Sequence, residues 1–362
     1  MSQTSEQPGA RPTIYDVANR AGVSKSLVSL VLRGSEKVSP ARRDAVQTAI
    51  RDLGYRPSQA ATVLASRRTQ AIQVVIDDYR NLWFVDLLDG IRTALLGRGY
   101  RLSVVDRAGA AADDDSAPPL AAGVDGLVVA CDPGDGLLTG WHGPTVIAGW
   151  REGDVPGTDL IANDDEMGSR LAVEHLTALG HRRIGHLSGG GGAAGHRRKA
   201  FVEATATAGV VGLITDGSGG TTEADGYHAA DDMLRLHPDV TAIYAANDSM
   251  ALGALATLKE RGLTVPEDIS LVGYDDSPLA QARFIDLTSV DDKSREVGEA
   301  AGRALLARIA DPHRPIERLL IEPELLVRGS SGPVHRAAAG PRRRVSRGQP
   351  IGPDTTRASA SG

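Results

Sequence analysis

Cysteine is almost absent from this chain: one in 362 residues, Cys131 in the apolar run GLVVAC, so no disulfide can form within it. A small buried hydrophobe is the expected role for that thiol. Aromatic residues make up 4%, so Ala, Val and Leu must fill the cores. Lysine is scarce as well, five among 40 basic residues, which leaves arginine as the main cation. No apolar run of about 20 residues is present, which excludes a membrane-spanning helix. The opening MSQTSEQPGARP lacks an apolar stretch, so no secretory signal is expected and a cytoplasmic place is the default. The sequence contains no G-x-x-x-x-G-K-[ST], no H-E-x-x-H and no G-x-S-x-G. LSGG at 187–190 therefore has no phosphate loop to work with. His175, His181 and His186 lack metal-ligand spacing, and neither a metal nor a cofactor is expected.

What is present divides by charge. Residues 1–68 carry 11 Lys and Arg against 5 Asp and Glu; residues 69–330 carry 23 against 40; residues 331–362 carry 6 against 1. A basic head on an acidic body suits a chain whose head meets phosphate while its body stays in solution. At 41% hydrophobic, the length allows two or three units with cores of their own.

The head has the clearest pattern. In PTIYDVANRAGVSKSLVSLVLR (12–33), Thr13 can cap a first helix, with Asp16 three residues on. Val17, Ala18 and Ala21 share one face. Gly22 marks a sharp bend, and Ser24 caps a second helix whose apolar face is Leu27, Val28, Val31 and Leu32. Lys25, Ser26 and Ser29 are left on its outer surface. Ser39-Pro40 opens a third helix with an inward stripe of Val46, Ala49, Ile50 and Leu53, ending near Gly54. The spacing fits a helix-turn-helix able to enter a major groove; an ordinary helical hairpin would share it.

From Ala71 the rhythm becomes α/β. AIQVVIDD, RLSVVD, VDGLVVA, PTVIAGW, RRIGHLSG, VGLITDG, TAIYAAND and ISLVGYDD read as strands, separated by amphipathic helices. RLLIEPELLVRGS reads as one late strand. Such alternation predicts parallel sheets covered on both faces, too many strands for one sheet, and hence two similar lobes. The expected layout is a disordered 1–11, a helical head at 12–56, a short linker at 57–69, a core at 70–329 and a disordered tail at 330–362.

Taken in order, TIYDVANRAGVS, VSLVLRG, VSPARRDAVQTAIRDLGYRPS, GHRRIGHLSG, AANDSMALGAL, VPEDISLVGYDD and LTSV resemble the LacI/GalR family of bacterial transcriptional repressors. The resemblance spans about residues 12–329. It implies an all-α DNA-binding head, a hinge helix within 57–69, and a two-lobed core like type I periplasmic sugar-binding proteins. The implied lobes are about 70–162 with 291–320, and 163–290 with 321–329. It also implies a homodimer on a pseudo-palindromic operator, controlled by a sugar-like effector between the lobes. Lys25, Ser26 and Leu30 then fall at groove-reading positions, where Lys25 can donate to a guanine edge and Leu30 meets only an apolar surface such as a thymine methyl. Tyr15, Ser24, Ser29, Arg33 and Lys37 become phosphate anchors, and Leu64 the hinge leucine that wedges into the minor groove. Arg197, Asn247 and Asp275 are candidate effector ligands; Trp83, Phe84 and Trp150 are candidates to stack on it. The sequence departs from the family at 107–122, where a helix is usual, and at the glycine run 189–195, where a mobile wall is expected. An import protein for solutes would need a signal peptide and no basic head, and an enzyme would need a reactive set of residues; the sequence offers neither.

Overall fold

The computed structural model describes residues 12–32, 35, 37–55, 69–107, 123–134, 136–151, 155–216 and 219–334. Arg33, Leu64, the 57–68 linker, the 108–122 segment and the ends at 1–11 and 335–362 lie outside them.

The head is three helices, α1 (Ile14–Ala21), α2 (Lys25–Leu32) and α3 (Pro40–Leu53). Thr13 closes a capping box: its N–H donates to the Asp16 carboxylate at 2.8 Å, and Asp16 N–H donates back to Thr13 Oγ1. These bonds hold the Asp16 carboxyl below the usual carboxylate range. Ser24 Oγ accepts from Leu27 N–H at 3.2 Å. Gly22 and Gly54 end helices at φ +65° and +61°. Ser39 makes no side-chain cap, so Pro40 alone marks that start. Val17, Ala18, Val28, Val31, Val38, Val46, Ala49 and Tyr55 form the head's core. Leu32 does not join them. One residue past Val31 it has turned about a quarter-circle away and is 39% exposed.

The body contains two six-stranded sheets. The first contains β1 (Ala71–Ile76), β2 (Arg101–Asp106), β3 (Gly126–Ala130), β4 (Thr145–Ala148), β5 (Asp159–Asn163) and β11 (Arg318–Ile321), in the order β11-β5-β4-β3-β1-β2. The second contains β6 (Arg183–Leu187), β7 (Val211–Thr215), β8 (Ala242–Ala245), β9 (Ser270–Tyr274), β10 (Thr288–Asp291) and β12 (Glu324–Leu326), in the order β12-β10-β9-β8-β6-β7. All pairings are parallel except β12 on β10. The helices are α4 (Trp83–Leu95), α5 (Asp165–Ala178), α6 (Gly192–Thr207), α7 (Glu223–Leu236), α8 (Asp248–Glu260) and α9 (Ser294–Ala310). The chain passes between sheets after β5, after β10 and between β11 and β12. Helix α9 thereby returns to the first lobe and lies on α4. Gly90 and Gly298 make that contact possible, because a Cβ at either would collide with backbone of the facing helix.

In the body and its C-terminal end, four sequence expectations change. β5 is missing from the strand pattern because Asp159 opens it. That carboxylate is wholly buried and held by Arg308, 2.6 Å away and far along the chain. β10 was likewise hidden by Thr288 and Ser289, which are buried and hydrogen-bonded to Arg328 O and Asp248 Oδ1. The expected late strand is two, β11 and β12, one in each sheet, broken at Glu322-Pro323. Finally, the chain stays in place beyond Ser330: Ser330 Oγ donates to Leu271 O at 2.7 Å, and Val334 N–H to Leu179 O at 3.0 Å.

Candidate functional sites in the head and between the lobes

On the head, α2 presents Lys25 and Ser26 to solvent beside Tyr15, which is 60% exposed. Lys25 Nζ donates to the Tyr15 hydroxyl at 3.1 Å and stands 4.7 Å from the ring centroid. The phenol thus restrains a long, flexible cation in advance of any contact. Ser24's lone pair is committed to capping, which leaves its O–H to donate. Lys37 is exposed. Ser29 and Leu30 are only half exposed, and Leu30 packs partly on the head's own core. Leu30 therefore offers a groove one edge, not a free side chain. Arg43 Nη2 ties the α2–α3 connection by donating to Ser35 O at 2.7 Å.

The second site is a cavity of about 130 Å³ where the carboxyl ends of the two sheets face each other, the usual ligand position in open α/β sheets. The first lobe supplies Asp77 after β1, Asn81, Trp83 and Phe84 at the start of α4, Asp132 after β3, and Arg151 after β4. The second supplies Gly190–Ala194, Arg197, Thr221, Asn247 and Asp275. The glycine run is more ordered than its composition predicts: its second half is the first turn of α6, with Gly191 and Gly192 at positive φ.

Arg197 organises the cavity floor. Its Nε lies 2.8 Å from Asp165 Oδ1, its Nη1 3.2 Å from Asp275 Oδ1 and 2.6 Å from Ala246 O, and its Nη2 3.8 Å from Asp292 Oδ2. The guanidinium also sits 3.6 Å from the Tyr274 ring centroid. One cation cannot balance three buried carboxylates. Burial raises Asp275 well above its usual range and pushes Asp292 up to about 7, with Arg197 opposing both. Asp275 adopts φ +97°, strained for a residue with a Cβ and of a kind found at functional sites. Asn247 caps α8 by accepting from Met250 N–H at 2.8 Å, and donates to Thr221 O at 3.1 Å. Its side chain is thus mostly structural.

The aromatic candidates separate. Phe84 and Trp83 line the cavity, yet both belong to the first lobe's core. Trp83 Nε1–H is taken by Asp292, and Arg151 covers the indole at 5.4 Å. Little of it remains for stacking. Trp150 is not on this cavity: its ring stacks on His196 of α6 at 4.4 Å, and its N–H donates to Asn163 O at 3.0 Å. The structure adds Asp77, Asn81, Asp132, Arg151 and Thr221, whose only sequence signal is a polar residue just past an apolar run. Cys131 is buried, its thiol pushed up to about 11 by desolvation. His186 is stacked between Phe201 and Tyr244 and pushed down to about 3 by burial. Both are framework. No group of three or more candidate metal ligands occurs among the described residues, and none of their helices is long and apolar enough to cross a membrane.

A three-helix head with an exposed polar outer face, followed by two α/β lobes with a cavity between them, defines a DNA-binding regulator governed by a small ligand. Two family models match: bacterial regulatory proteins of the lacI family over 13–58, and a periplasmic binding protein-like domain over 173–331. The transcriptional regulator CelR of Thermobifida fusca is 35% identical across 88% of this chain and 98% of that protein. The transcriptional repressor PurR of Mannheimia succiniciproducens is 33% identical over the same shares. Among solved structures, the lac repressor dimer bound to operator and the anti-inducer ONPF superposes at TM-score 0.74, with 26% identity, 89% of this chain and 100% of that one. A CelR–cellobiose complex gives 0.63 and 31%, again with 89% and 100% covered. The chain belongs to the LacI family of bacterial transcriptional regulators.

Proposed function

We propose that this regulator is a homodimeric repressor whose grip on a pseudo-palindromic operator is set by a sugar-like effector held between the lobes. The head at 12–56 reads the operator through Lys25 and Ser26, with Leu30 as a minor apolar edge and Tyr15, Ser24, Ser29, Arg33 and Lys37 on phosphate. Residues 57–69 act as a hinge whose Leu64 enters the minor groove. The core at 70–329 binds effector and partner, and the protein works in the cytoplasm without turning its ligand over. Phe284, 92% exposed beside a groove containing Leu252, Leu255, Leu263 and Val265, supports self-association through the second lobe.

The observation that carries this reading is the Arg197 cluster. It joins the second lobe to both neighbouring crossovers at the cavity floor, so a ligand seated there favours one lobe arrangement over another. Side-chain donors of Asn81 and Arg151 and acceptors of Asp77 and Asp132 both line the cavity, as a polyol requires. The related CelR structure contains cellobiose, and this chain's cavity chemistry agrees with a sugar ligand. Footprinting of genomic DNA by the purified protein, with and without a sugar panel, tests the reading. Operator protection that no sugar alters would overturn the effector assignment.

A further inference from the structure

A second cavity, of about 440 Å³, opens from the first. The two share Asp77, Asn81 and Thr221, and the outer one continues between Asp78 and Arg80 on the first lobe and Ser249, Leu252 and Leu279 on the second. The inner cavity alone falls short of the roughly 300–1,000 Å³ of a typical ligand site; the two together lie within it.

We infer that the interlobe cleft is a two-compartment site whose effector is a neutral two-ring sugar, one ring over Arg197 and the second in the outer compartment between Asn81 and Leu279. This rests on the sugar-effector reading above and adds the size and charge of the ligand.

Three features carry it. The residues at the neck can hold a glycosidic junction. Asn81 Oδ1 accepts from Trp83 N–H, but its amide N–H groups, and the hydroxyls of Thr221 and Ser249, have no protein partner among the described residues. Those groups can donate and accept along a chain of sugar hydroxyls. Leu252 and Leu279 add apolar surface for the C–H face of a ring. The electrostatics then disfavour an acidic second unit. Arg80 spends its Nε and Nη2 on Asp78, Arg151 lies 3.7 Å from Asp77, and Arg197 is enclosed by carboxylates. Every arginine lining either compartment already stands beside a carboxylate, and Glu223 and Asp132 add further negative charge, which disfavours a phosphate or sugar acid.

Calorimetric titration of the full chain with matched probes tests this: D-glucose, cellobiose and maltose; D-galactose and lactose; D-xylose and xylobiose; and glucose 6-phosphate. One disaccharide is expected to bind at least tenfold tighter than its monosaccharide, with the phosphate ester at least tenfold weaker than glucose. Leu279→Trp, from one wall, and Ser249→Tyr, from the other, are each expected to bring the disaccharide-to-monosaccharide affinity ratio toward one, with thermal melting confirming the fold. A monosaccharide binding as tightly as every disaccharide, a ratio untouched by both folded variants, or tighter binding of the phosphate would overturn the two-compartment site. If no sugar binds at all, the sugar-effector reading falls and takes this one with it.

Discussion

Trp83 Nε1 donates to Asp292 Oδ2 at 2.7 Å, across 209 residues of sequence. The bond ties the first turn of α4 to the crossover that leaves the second lobe. The same carboxylate oxygen lies 3.8 Å from Arg197 Nη2. A single buried acid therefore touches one lobe through an indole and the other through a guanidinium. A change in lobe angle must alter at least one of those contacts.

Because burial pushes Asp292 up to about 7, its folded pKa lies above the unfolded value near 3.9. The stability it contributes is present in full below about pH 4 and is lost as pH rises toward 7. His186, pushed down to about 3, acts with the opposite sign and strengthens the fold as pH rises toward 6.5. Comparing wild type with Asp292→Asn separates them. The variant's melting temperature should rise relative to wild type between pH 5 and 7.5, by the equivalent of about 1–3 kcal/mol. A constant difference across that range would contradict the assignment.

Arg197→Met would strand Asp165, Asp275 and Asp292 without a cation. Removing one partner of a buried ionic group costs roughly 3–5 kcal/mol, so urea denaturation should show a loss of that order. Fluorescence titration with the tightest-binding sugar should show no saturable response. Arg197→Lys should recover part of the stability and little of the ligand response, because an ammonium cannot reach the same set of acceptors.

On the head, Lys25→Ala should relax base preference at one or two operator positions, read as a change in the sequence logo of selected DNA. Tyr15→Phe removes the hydroxyl that accepts from Lys25 Nζ and should weaken specific binding by about 0.5–1.5 kcal/mol. A double-mutant cycle should show the two losses to be non-additive. Additive losses would mean that the tyrosine acts on phosphate alone.

Leu64→Ala should weaken specific binding far more than binding to random DNA, since a minor-groove wedge contributes only where the duplex bends. Gel shifts on both DNAs at one salt concentration measure this. Equal losses would refute the wedge.

The α4–α9 contact offers a test of packing. Gly298→Ala places a methyl into backbone of α4 at Leu87, and overpacking of this kind typically costs about 1–3 kcal/mol. Chemical denaturation should record that loss, with operator affinity changed only as far as the dimer depends on it.

The head was legible almost residue by residue. Thr13, Gly22, Ser24 and Gly54 act through neighbours three or four positions away, so their signals are local. The α/β rhythm was equally plain wherever strands were fully apolar. It failed at β5 and β10, where Asp159, Thr288 and Ser289 are buried only because partners far along the chain satisfy them. The candidate site was half legible. Arg197 and Asp275 stood out through resemblance, but nothing local says that Trp150 turns away to His196 or that Trp83 spends its N–H on Asp292.

The amino-acid order, by its periodicity, caps and charge division, determined that a basic trihelical reader precedes a two-lobed parallel α/β body. Those properties depend on contacts within a few residues or on strand burial alone. Which acids meet Arg197, how far the cleft extends and which aromatic rings remain free were decided only by tertiary structure. The three passages between sheets bring together groups separated by as many as 209 residues, and the buried charges there take their protonation from one another.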